Sequence, residues 1–101
     1  MNTAKDIRFV VIHKPGPNWR HGVPPFEQIG LPQHVEHFRK FLESDKLMIG
    51  GPFLDEPSGG MMVPAPTISE DEMRQFANDD PAVKSGLLTF EIRPWLARLQ
   101  K

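Results

Sequence analysis

The stretch from Ile7 to His13 constrains the fold more than any other part of the chain. Its side chains alternate between two sets, Ile7, Phe9, Val11 and His13 against Arg8, Val10 and Ile12, and both sets are largely apolar. Successive strand residues point to opposite faces, so this strand belongs inside a sheet that is covered on each side. A chain of 101 residues builds one modest core. One layer of helices covers only one face of a sheet, and a second subunit is the economical cover for the other.

The rest of the chain supplies the partners of that strand. Lys14-Pro15-Gly16-Pro17 is expected to end it, because proline lacks the N–H that a ladder needs. A long loop then runs to Gly30 and carries Trp19, His21 and Phe26. Such loops in compact domains are usually functional or disordered, and aromatic residues point to one that packs over something. A helix is expected from about Pro32 to Asp45, with Leu31, Val35, Phe38 and Leu42 recurring at helical spacing as its buried face and Phe41 beside them. Steps of about 100° per residue put His34 inside that apolar arc and His37 on its flank.

Leu47-Met48-Ile49 reads as a short strand stopped by Gly51-Pro52. Phe53 to Gly60 is rich in turn residues, and Gly60 to Val63 forms the returning strand. Ser69 with Glu72 is a capping box that opens a second helix, with Met73, Phe76 and Ala77 inward. Asp80-Pro81 caps a further short turn that ends at Gly86. Leu87 to Arg93 is the last strand, stopped by Pro94, with Trp95 and Leu96 opening a tail. The order β-α-β-β-α-β is the ferredoxin-like unit, an α+β domain with an antiparallel sheet whose first and third strands are central. One domain is expected over 1–101.

Composition removes several function classes. The net charge is −1 with both signs interspersed, so the concentrated basic footprint of a nucleic-acid binder is absent. With no cysteine there are no disulfides, thiolate nucleophiles or cysteine zinc sites. The first residues lack an apolar signal region, and no apolar run approaches membrane-spanning length, which makes a soluble, cytoplasmic protein the expectation. Gly50-Gly51 and Gly59-Gly60 do not open helices and are not phosphate loops, so no nucleotide or other cofactor is expected.

Several motifs, in order, resemble the YCII-related family. They are His13-Lys14-Pro15-Gly16-Pro17 with Trp19, then His34, then Gly50-Gly51-Pro52-Phe53-Leu54-Asp55, then Asp79-Asp80-Pro81 with Val83 and Gly86-Leu87, and finally Glu91 with Arg93-Pro94-Trp95. The resemblance covers nearly the whole chain and departs from the shortest members in the proline-rich insert after His13. It implies a dimeric α+β barrel, two ferredoxin-like subunits with their sheets face to face. A pocket in each subunit and a histidine–aspartate pair are implied as well. The wider superfamily includes small cofactor-free enzymes that act on lactones and hydroxylated aromatic rings.

For proton transfer a carboxylate fixes the tautomer of a histidine and stabilises its imidazolium. His34 is the candidate base, and Asp55, just after the Gly51-Pro52 turn, is the leading partner. Asp55 could equally bond its own turn, as aspartates often do. Asp80 is the rival carboxylate, ranked lower because aspartate before proline at a helix start is an ordinary N-cap. His13, at the end of a central strand, is placed at the same pocket with Trp19, Pro52 and Phe53, or else braces the adjoining turn. His34 and His37 are neighbours on the helix, but they point in different directions and two ligands are not a site, so no metal is expected. The leading expectation is a cofactor-independent isomerase or lyase acting on a small carbonyl or hydroxylated aromatic substrate. The alternative is a dimeric, non-catalytic module that binds a small molecule, in which His34 meets a backbone carbonyl and no carboxylate.

Overall fold

The computed structural model describes residues 5–101. β1 (Ile7–Pro15) is followed by α1 (Leu31–Glu43), β2 (Leu47–Pro52), β3 (Gly60–Pro64), α2 (Glu70–Asn78), the short α3 (Pro81–Lys84) and β4 (Leu88–Leu96). A single 3-10 turn, Pro25–Glu27, interrupts the loop before α1. The four strands form one sheet in the order β2-β3-β1-β4 with every pairing antiparallel. This is the ferredoxin-like α+β fold, with β1 and β3 in the middle as the apolar pattern of Ile7 to His13 requires.

Three strand boundaries differ from expectation. β1 continues through Lys14 and Pro15, which pair with Thr89 and Leu88 of β4. β3 reaches only as far as His13, so at Pro15 the strand has a neighbour on one side alone and the missing N–H breaks no ladder bond. Pro94 does not stop β4 either. It pairs with Phe9, and β4 is the edge of the sheet, where a proline nitrogen can face outward. Gly51 and Pro52, expected to terminate β2, are likewise paired with β3.

α1 and α2 lie on one face of the sheet. Phe38 and Phe41 of α1 and Met73 and Ala77 of α2 close over Val11 and Met62. Phe76 of α2 is held between two rings of α1, stacked on His37 at 3.9 Å and on Phe41 at 4.0 Å between centroids. His37 also hydrogen-bonds the Phe76 carbonyl at 2.7 Å. The expected helix face is only partly a core face, because Val35 and Leu42 are 43% and 45% exposed. α2 opens as its sequence requires, with the Ser69 hydroxyl accepting from the Glu72 N–H at 3.1 Å. The capping box is half complete, since the Glu72 carboxylate turns to Lys46 Nζ at 2.8 Å.

The loop between β1 and α1 is ordered around Gln28. This buried side chain accepts from the Arg20 N–H and donates to the carbonyls of Arg20 and Val23. The loop starts pinned to the α3–β4 junction through Gly16 N–H to Leu87 O and Asn18 N–H to Gly86 O. Gly86 has φ +79, a left-handed turn residue that glycine accepts without strain. Among the described residues no helix is long and apolar enough to cross a membrane. The described residues leave the opposite face of the sheet uncovered. It presents Val10, Ile12, Met61, Arg93, Pro94 and Trp95 around a shallow depression, with Met61 39% and Trp95 50% exposed.

Candidate active site

His34 sits in the second turn of α1 and faces the α2–α3 junction. Its Nδ1 lies 2.5 Å from Oδ2 of Asp80, with the carboxylate wholly buried. Asp80 is also the N-cap of α3, and its Oδ1 accepts from the Ala82 N–H at 2.9 Å. The short distance marks a charge-assisted hydrogen bond in which Nδ1–H donates. That fixes the tautomer and leaves the lone pair on Nε2, which makes no hydrogen bond among the described residues. Burial pushes the Asp80 pKa up. The His34 hydrogen bond and charge, the Ala82 N–H and the nearby His13 outweigh it and hold the carboxyl below its ordinary value.

His13 comes from the middle of the sheet and completes the cluster. It is 2% exposed, and its ring stands edge-on to His34 at 4.7 Å and to Phe38 at 5.4 Å. Its Nε2 is 3.8 Å from Asp80 Oδ2, beyond hydrogen-bond range. Burial, reinforced by the charge His34 would carry, lowers its pKa to about 4 despite Asp80 nearby, so the ring is neutral at pH 7.

These groups lie at a cavity of about 380 Å³. Its walls are mostly apolar: Leu31, Val35, Phe38 and Leu42 from α1, Leu47 and Met62 from the sheet, and Trp19, Pro25 and Phe26 from the loop. The exposure of Val35 and Leu42 is thereby explained, since they line a cavity and do not pack in a core. Binding sites of this kind are apolar with a few placed polar groups. Here those groups are His34 and His13, with Arg39 also on the wall.

The residues singled out from sequence divide clearly. His34, His13, Trp19 and Pro52 line the cavity, and Asp80 lies behind His34. Phe53 is not part of the lining, and Asp55 is exposed in the β2–β3 turn with no side-chain hydrogen bond among the described residues. The partner of His34 is therefore Asp80 and not Asp55. The N-cap reading of Asp80 was correct but incomplete, because a cap occupies one carboxylate oxygen and leaves the other free. The apolar lining from Val35, Leu42 and Met62 was not anticipated; periodicity cannot separate a face that packs from one that borders a cavity.

No family model matches the chain, and no curated protein matches it, so the YCII-related likeness stands on its motifs alone. Among solved structures the chain is similar to TftG, the 5-chloro-2-hydroxyhydroquinone dehydrochlorinase of Burkholderia phenoliruptrix AC1100, in complex with 2,5-dihydroxybenzoquinone. Identity is 21%, the TM-score is 0.61, and the match covers 87% of this chain and 92% of that one. At that identity the likeness carries the fold alone, the ferredoxin-like α+β architecture.

Proposed function

We propose that this protein is a small enzyme of the isomerase or lyase type, moving a proton on a carbonyl-bearing or hydroxylated aromatic substrate held in the cavity. His34 Nε2 is the general base. Asp80 orients the ring and stabilises the imidazolium once Nε2 has taken the proton, which the ring then returns to another atom of the substrate or to the leaving group. The observation that carries this reading is the buried His34–Asp80 pair beside an apolar cavity with an unengaged Nε2. A binding module without catalysis would leave His34 on a backbone carbonyl, and the carboxylate partner speaks against it. TftG supports the substrate class, since its name and its bound ligand are hydroxylated six-membered rings. The step asks for no organic cofactor.

The same reading includes a homodimer in which two sheets pack through the face bearing Ile12, Met61 and Trp95. An uncovered sheet face of this kind suits a self-complementary twofold interface. A cytoplasmic setting fits a chain without cysteine.

The test is a screen of hydroxyquinones, hydroxylated aromatic halides and small lactones, read by absorbance and by solvent deuterium incorporation. Wild type should turn over at least one of them. H34N and D80N should lower the rate by about 10²–10⁴-fold, the share a general base supplies, while D55N leaves it unchanged. Equal rates in H34N and wild type would remove His34 from the reaction.

A further inference from the structure

His13 is a buried polar side chain that the proton-transfer scheme does not use. It is 2% exposed, and neither ring nitrogen has a hydrogen-bond partner among the described residues. An unpaired buried polar group is costly, so a folded chain carrying one is expected to offer it something to bind. The Asp80 carboxylate does not serve, since its Oδ2 stands 3.8 Å from Nε2. That distance is too long for a hydrogen bond and suits two ligands of one ion, which lie roughly 3–4 Å apart when each bond is about 2.0–2.2 Å.

We propose that His13, His34 and Asp80 form a binding site for a divalent transition-metal ion. One ligand atom from each of the three lies within 4.8 Å of the others, and all three residues are buried. The assignments are His13 Nε2, His34 Nδ1 and Asp80 Oδ2. Two neutral imidazoles and one carboxylate suit zinc, cobalt or ferrous iron; calcium and magnesium take shells of oxygen ligands. The donors come from β1, α1 and the cap of α3, elements the fold already holds against one another.

The ion takes the place of the proton between His34 and Asp80. Their 2.5 Å separation fits a hydrogen bond, so the carboxylate must swing outward while Oδ1 keeps the Ala82 N–H. The proton leaves Nδ1 and a solvent proton adds to Nε2, so the ring stays neutral. Nε2 then has no lone pair. Metal occupancy and the proton transfer proposed above are mutually exclusive, and each can fail without the other.

The experiment is a titration of chelator-treated protein with Co²⁺, read by visible ligand-field absorption and checked by the thermal shift with Zn²⁺. Wild type should develop the bands of a low-coordinate site at one equivalent and melt higher with Zn²⁺. H13F, which fills the same space with an apolar ring, should weaken binding beyond the roughly 10–100-fold that loss of an outer-shell partner costs. D80N should do the same. No band and no shift in wild type would overturn the site, and so would equal binding by wild type and H13F, which would place the ion elsewhere. Should H13F fail to fold, the paramagnetically shifted ring resonances of wild type decide the matter: signals from His13 and His34 support the site, signals from His21 or His37 overturn it.

Discussion

Asp80 divides its carboxylate between two structures, Oδ1 to the first turn of α3 and Oδ2 to His34. Replacing it by alanine removes a helix cap and leaves the Nδ1–H of a buried histidine unpaired. D80A should therefore lose about 2–4 kcal/mol in urea unfolding. D80N retains an oxygen for the cap and should fall between D80A and wild type. His13 sets a pH dependence of the metal-free protein. Its pKa falls from 6.5 to about 4 on folding, chiefly through burial. The unfolded chain binds the extra proton in that window, so stability is full above pH 6.5 and drains as pH falls through about 4. The limit is about 3 kcal/mol. Unfolding free energies measured from pH 7 to 4 should show this slope in wild type and lose it in H13F.

At the scale of elements, the α2 start is a local signal that the sequence states outright. S69A should cost about 1 kcal/mol in thermal or denaturant unfolding, since the Glu72 N–H loses its acceptor. Other features were legible for the same reason: the central position of β1 in its two apolar sets, the placement of His34 in its helical spacing. What was not legible depends on distant partners. The proline boundaries at Pro15 and Pro94 follow from which strand is an edge, a fact of the assembled sheet. His34 and Asp80 are 46 residues apart, and the local pattern of Asp80, aspartate before proline at a helix start, announces only its cap. His37, on the flank of the helix and pointing away from His34, belongs to the Phe76 stack, because α2 crosses its side of the helix.

For the whole molecule, the sheet face carrying Ile12, Met61 and Trp95 is the quantity to test. Light scattering should give twice the 11.5 kDa chain mass, and the double substitution M61E/W95E should halve it while the far-ultraviolet spectrum is kept. A wild type that scatters as a monomer would count against the paired sheets. The arrangement of the loop between β1 and α1 carries a different consequence. Gln28 satisfies its backbone from within, whereas the proton-handling pair stands on α1 and the cap of α3. The reacting centre and the gatekeeper thus occupy separate parts of the chain. Exchange of Pro25 and Phe26 would re-cut the mouth of the cavity and leave the chemistry behind it intact, so a single scaffold could be turned from one ligand to another by editing two side chains that make none of the loop's hydrogen bonds.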